Sequence, residues 1–301
     1  MRKKASIASI GCGVLAALLL IAVTGRAQSD VEDAVKQLSS DNVRGYVQPF
    51  VNSFGSNMNS GLYHTAAVDP NGFHLQIGVI GMGTLIGDAE KVYQATSPYS
   101  SGGVETATLF GGLGSEVTDS NSGLSYHFQN GQVKTSIVGL AAPQLTIGSV
   151  YGTQAIVRYF PSPSVNDFPK VTLFGIGVQH NLNQYLPTFP ADLAASLAWQ
   201  KLDIGDIFEA KAFNIGAQIS KSWAVLTLYG GLQYETSSMS LDYTYTGQGS
   251  TPNTKIHVDI DGEQHFRATG GLTLDLLILH LNGDVNLGKV TTFSAGLGVG
   301  L

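Results

Sequence analysis

The closing stretch of the chain, Val290 to Leu301, alternates to its final residue. Phe293, Ala295, Leu297, Val299 and Leu301 fall on one face, and Ser294, Gly296, Gly298 and Gly300 on the other. A period of two over a whole segment describes a strand whose faces meet different surroundings. An apolar strand at an open sheet edge invites pairing with other chains. Closing the sheet into a barrel removes that edge, and lipid outside accounts for the apolar face. This closing strand is also the expected contact for the machinery that assembles such barrels.

The start of the chain points to the same compartment. Arg2, Lys3 and Lys4 precede an apolar run from Ala5 to Val23, and Gly25-Arg26-Ala27 offers small residues at a cleavage site. Residues 1–27 therefore read as a secretory signal peptide, with Gln28 as the expected mature N-terminus. Cys12, the single cysteine, would leave with it, so no mature thiol is expected for disulfides, metal or nucleophilic catalysis. Cleavage would leave 12 basic against 22 acidic residues, a balance that argues against nucleic-acid binding. Only 13% of all residues are charged, about half the usual share, yet no second apolar run reaches the ~20 residues of a membrane helix. With 37 glycines, this composition suits a barrel with an apolar exterior and a small-residue interior.

Residues 28–68 read as an N-terminal helical segment, a plug in the barrel or a cover on its rim. Val43, Val47, Phe50, Val51 and Phe54 recur at helical spacing and form the candidate plug stripe. Pro49 is expected to kink this helix or start a new one.

Residues 69–301 read as a transmembrane antiparallel β-barrel of ~12 strands, within a range of about 10–14, making the fold all-β. Strands are expected near 104–110, 124–129, 132–140 and 144–160, among others, with Asn130-Gly131 as a two-residue hairpin turn. Leu193/Ala195/Leu197/Trp199 and Phe213/Ile215/Ala217/Ile219 present apolar faces opposite Ser196, Gln200, Asn214 and Gln218, the order expected with lipid outside and polar groups inside. With the N-terminus placed on the periplasmic side, Lys221 falls in a tight periplasmic turn and Gly247–Thr254 in an outer loop.

Residues 223–246 and 255–275 exceed the ~9–11 residues needed to cross a membrane, so this hairpin is expected to reach beyond it. Along the first arm the apolar positions change parity near Thr236–Ser238, which calls for a bulge or for new surroundings. Along the second, Lys255, His257, Asp259, Asp261, Glu263, His265 and Arg267 share one parity. They form a candidate polar ladder at a channel mouth, or a solvated face of compensating charges.

Signs of catalysis are missing. There is no G-x-S-x-G, and the seven histidines form no H-E-x-x-H pair. Asp259-x-Asp261-Gly262 matches only part of a calcium loop, and Gly78–Gly83 lacks the Lys-Ser/Thr of a phosphate loop. No enzyme activity, metal or cofactor is expected.

Gly45-Tyr46-Val47-Gln48-Pro49-Phe50, Gly55, Asn59-Ser60-Gly61, Tyr63 and Phe73-His74-Leu75-Gln76-Ile77-Gly78-Val79, with Arg158-Tyr159-Phe160-Pro161 further on, carry a resemblance. They are similar to an uncharacterised family of outer-membrane barrels found in Bacteroidetes and their relatives. More distantly the chain resembles long-chain fatty-acid transporter-type barrels, which also place a helical hatch before the barrel. The resemblance implies a Gram-negative outer membrane, surrounding lipid as partner, and passage of small molecules, apolar ones among them, gated by the N-terminal segment. A non-transporting surface-binding or structural barrel is the other reading, and a lipid-acting barrel enzyme a third.

Overall fold

The computed structural model describes residues 40–70, 72–97, 100–161, 170–205, 208–245 and 254–301. The expected signal peptide, its Cys12 and the first part of the N-terminal segment lie outside these residues. Helix α1 (Ser40–Met58) is followed by β1 (His74–Leu85), β2 (Val92–Ser97), β3 (Ser100–Ala107), β4 (Glu116–Thr118) and β5 (Ser125–His127). Then come β6 (Ile137–Val150), β7 (Thr153–Pro161), β8 (Val171–Asn181), β9 (Asp192–Ile204) and β10 (Phe208–Trp223). The chain ends with β11 (Leu226–Tyr245), β12 (Thr254–Asp261), β13 (Phe266–Leu276), β14 (Leu279–Leu287) and β15 (Thr292–Gly300).

Ten of these strands close an antiparallel barrel in the order β1-β6-β7-β8-β9-β10-β11-β13-β14-β15. The closing strand read from the sequence pairs with β1 from Gln76↔Gly300 to Thr84↔Thr292, so the barrel has no free edge. β12 is an eleventh strand that pairs only with residues 238–245 of β11. The small hairpins β2–β3 and β4–β5 sit in the long connection between β1 and β6.

Two expectations about strands need correcting. Asn130-Gly131 makes no hairpin turn: β5 pairs back with β4, and the Gly131 N–H donates to Gly112 O. β6 then runs unbroken from Ile137 through Pro143, where the sequence suggests a gap. Pro143 stands just before the β6–β7 pairing begins at Gln144↔Arg158, an edge-like position that tolerates proline.

The two ends of the barrel differ. One carries the connections 151–152, 182–191, 224–225 and 277–278; we call it the turn end. The other, the loop end, carries the 86–136 connection and the extended β11–β12 hairpin.

Near the turn end the strands read apolar outside and polar inside. On β9, Leu197 and Trp199 are exposed while Ser196 and Gln200 are buried in the lumen. Toward the loop end the order inverts. Lys201 and Asp203 then face outward and Leu202 is buried. β10 repeats the change: Gln218 and Asn214 point inward at first, then Ala212, Ala210 and Phe208. On β11 the lumen side passes from Thr227 and Glu235 to Met239 and Leu241.

This inversion explains the parity change near Thr236–Ser238. The register between β10 and β11 continues without a bulge from Trp223↔Leu226 to Phe208↔Leu241. The strand keeps its faces and the surroundings change. An apolar outer surface gives way to a polar one, and a polar lumen gives way to an apolar one.

What fills that apolar half is α1. Val43, Tyr46, Val47, Phe50, Val51, Phe54 and Met58 are all buried, in one cluster with Ile80, Val138, Leu140, Leu202, Phe208, Met239, Leu241 and Ile260. The helix stays continuous through Pro49, whose carbonyl accepts from Ser53 Oγ at 2.7 Å. Packing against the wall holds a helix that proline would break in solution.

The lipid-facing assignment is testable by exchanging adjacent residues of opposite parity. Leu228 is exposed on the apolar band, whereas its neighbour Thr227 is buried in the lumen. Arg on a lipid face costs about 2–4 kcal/mol near the midplane. Leu228→Arg is therefore expected to reduce the folded, heat-modifiable species in outer membranes far more than Thr227→Arg; equal loss would overturn the assignment of faces.

Candidate functional site in the barrel lumen

Below α1 the chain continues as Asn59–Val68, a strap without helix or strand that runs down the lumen to the turn end. The Asn59 and Ser60 N–H groups bond back to Gly55 O and Asn57 O, but the carbonyls beyond have no helix or ladder to serve them. Irregular backbone at membrane depth is tolerated only where protein satisfies it. The polar lumen wall does this almost residue by residue. Gln144 donates to Leu62 O at 3.2 Å, Thr273 to His64 O at 2.9 Å, Gln179 to Thr65 O at 2.9 Å and Asn181 to Ala66 O at 2.8 Å. Ser220 Oγ accepts from the Ala66 N–H at 2.9 Å.

Two buried arginines hold the junction of helix and strap. Arg158 donates to Met58 O at 3.0 Å, Ser60 O at 2.9 Å and Gly61 O at 2.6 Å. Its other bonds go to Gln144 at 2.9 Å and Gln200 at 3.2 Å. All five guanidinium N–H groups are thereby used. Arg267 donates to Ser56 O and Ser56 Oγ, each at 2.9 Å, and pairs with the carboxylate of Glu235 at 3.0 Å. These cations sit at the C-terminal end of α1, where the last carbonyls lack partners and the helix dipole is negative. The strap turns at Gly61, whose φ of +61° suits glycine and whose added Cβ would strike Ile80.

Beside the lower part of the strap, toward the turn end, lies a vestibule of about 350 Å³. His64, His74, Gln76, Thr227, Asp275 and His280 are among its lining residues, with Leu62 and Ile156 supplying apolar patches. Asn282 also lines it, and its Oδ1 is buried without a partner.

Every residue of the candidate plug stripe, Val43, Val47, Phe50, Val51 and Phe54, is buried inside the barrel, at the loop end. The candidate ladder is divided. β12 ends at Asp261, residues 262–265 leave the ladder pattern, and β13 begins at Phe266. This break changes which parity faces inward: Val258 and Ile260 are buried before it and Arg267 after it. Lys255 pairs through its backbone with Thr244. His257 lies between Asp242 at 2.8 Å and Asp259 at 3.2 Å on the solvent side, and Asp261 is exposed. Glu263 pairs with Lys289 at 2.5 Å and accepts from Asn52 of α1 at 3.2 Å. His265 stacks on Tyr234. The ladder residues thus split between an outer hairpin, a contact with the helix and the lumen grip.

Sequence reasoning assigned no role to Arg158, the other half of that grip. The available signal was its parity: it stands between Ile156 and Phe160 on the face that elsewhere carries small and polar residues. Among the described residues, no group of three or more His, Cys, Asp or Glu is placed to hold a metal ion. The glycines from Gly78 to Gly83 are part of the β1 wall.

A family model described as "Family of unknown function (DUF6588)" matches residues 1–301. The chain belongs to that family. A comparison with curated proteins finds no match. Among solved structures, the chain is similar to a BenF-like porin from Pseudomonas fluorescens Pf-5, at 9% identity over 76% of this chain and 98% of that one, with a TM-score of 0.18. It is also similar to the toluene transporter TbuX of Ralstonia pickettii, at 8% identity over 81% of this chain and 92% of the other, with a TM-score of 0.21. Likeness at that level carries no mechanistic weight, and the reading of the lumen rests on its own geometry.

Two measurements follow from this geometry. Ser56 Oγ and Thr292 Oγ1 lie 2.6 Å apart, one on α1 and the other on β15. Ser56→Cys with Thr292→Cys is expected to form a disulfide in the assembled barrel, read as a mobility shift reversed by reductant; two free thiols in the folded protein would place the helix elsewhere.

His257, on the outer β11–β12 hairpin, offers a pH test. Hydrogen bonds to Asp242 and Asp259 raise its pKa above the ordinary imidazole range. The pairing is present in full below that ordinary value and is lost as pH rises through the folded one. Asp242→Asn should bring the titration of His257, followed by NMR, back toward ~6.5. An unchanged midpoint would remove Asp242 as the cause.

Proposed function

We propose that this protein is an outer-membrane barrel of the channel or transporter class, held shut by its N-terminal segment, with the strap as the part that moves. Magnitudes separate the strap from the helix. Seven buried apolar side chains of α1 contribute on the order of 10–20 kcal/mol, an upper estimate from burial. That is too much for spontaneous ejection of the helix. The strap is held chiefly by hydrogen bonds, each worth about 0.5–1.5 kcal/mol net because water replaces a lost partner. A lumen wall of Gln144, Gln179, Gln200, Asn181 and Thr273 would remain wettable once the strap shifts. This polar wall is the observation that carries the reading. The vestibule lining favours small polar solutes over the apolar ones suggested by the fatty-acid transporter resemblance.

One observation favours the non-transporting reading. Arg158 has no donor to spare, as expected of a fixed structural seal. Reconstituted vesicles separate the two. Wild-type protein is expected to pass a small polar dye slowly, and Arg158→Ala or Gln179→Ala roughly tenfold faster, with the Ser56–Thr292 disulfide, which pins the helix and not the strap, leaving those faster rates unchanged. Variants that fold, as judged by heat-modifiable migration, yet leak no faster than wild type would leave a sealed structural barrel.

A further inference from the structure

The direction of the chain through the lumen carries a consequence for the segment upstream. The N-terminal half of α1 sits among loop-end residues. Asn42 exchanges hydrogen bonds with the backbone of Thr96, at 3.0 Å in each direction, and the Tyr46 hydroxyl donates to Asn130 O at 2.8 Å. Leu109 N–H donates to Tyr46 O at 2.9 Å. All three partners belong to the 86–136 connection. The C-terminal end of α1 lies deeper, at Arg158 and Arg267. At the far end of the strap, Asn181 holds Ala66, and Ser149 N–H donates to Gly72 O at 3.1 Å beside the 151–152 turn. The segment therefore enters the barrel at the loop end and leaves it at the turn end before β1 begins.

We infer that the protein is threaded: the N-terminal end of α1, at Ser40, opens to the loop side of the membrane and to the cell surface, while β1 starts from the periplasmic side. Two further points support this. The 19 residues of α1 span about 28 Å at 1.5 Å per residue, so Ser40 is separated from the turn end by the helix as well as the strap. The lumen through which an upstream segment would have to return is already occupied by that helix and strap. Barrels of this kind keep short turns in the periplasm and longer loops outside, which puts the loop end at the surface. This proposal differs from the periplasmic N-terminus expected from the sequence. The inference depends on chain direction and membrane orientation, and holds for a sealed barrel as well as for a transporting one.

Intact cells supply the test. An epitope inserted after Ser29 is expected to be labelled by antibody on intact cells, while one inserted in the Tyr151-Gly152 turn is labelled only after the outer membrane is opened. The untagged chain gives a second readout: trypsin added to intact cells should cut after Lys36, leaving a barrel that begins at Gln37. Labelling of the Ser29 epitope only in opened cells, labelling of both epitopes on the same side, or an uncut Lys36 bond in intact cells alongside full cutting in opened cells would each overturn the threading.

Discussion

The rest of the structure depends on one requirement: an irregular backbone buried inside a closed barrel must find a partner for its carbonyls. From Met58 to Ala66 the chain has no ladder or helix to supply them, and bulk water is displaced. The lumen side chains of β6 to β9 and β13 meet that need, with Arg158 serving three carbonyls by itself. Polar residues inside a membrane barrel ordinarily suggest a wet channel. Here the same polarity holds a segment of the protein's own chain in place.

Solvent sets the second constraint. Toward the turn end, apolar side chains point outward and the interior carries the polar ones; toward the loop end the arrangement reverses and the interior becomes an ordinary apolar core. α1 matches this division. Its apolar stripe lies in the upper core, and its polar C-terminal turn, Ser56 and Asn57, meets Thr292, Arg267 and the Val138 carbonyl. A single helix thus bridges two solvation regimes, with the cost of each end matched by the wall beside it.

Much of this was legible in the sequence because strand parity is a local property. The closing strand, the lipid-facing positions of β9 and β10 and the apolar stripe from Val43 to Phe54 could all be read from spacing. The count of barrel strands could not. Residues 86–136 contain strand-like runs, yet they form small hairpins outside the wall, and nothing local marks which runs join the main sheet. The ladder does not stay on one face for a related reason: parity is meaningful only within one strand, and the break at 262–265 separates His257 from Arg267. Arg158 was hidden because its partners are backbone carbonyls about a hundred residues away. A side chain that recognises main chain leaves no complementary residue type to find.

The pairing of β1 with β15 joins opposite ends of the barrel sequence around a lumen that already contains the segment leading into β1. The wall and its contents are one covalent chain, so sealing the last seam also encloses the first part of the chain to be made. Closure of the wall bears on how this arises: sideways entry of the N-terminal segment is open only before the final strand docks, and afterwards the one route in is through an end of the barrel. Such long-range closure is slow by nature, since loop entropy is lost before the contacts form. A segment that fits the lumen gives the unfinished sheet something to curl around, so the strap that blocks the finished barrel also serves as the form on which the barrel is cast.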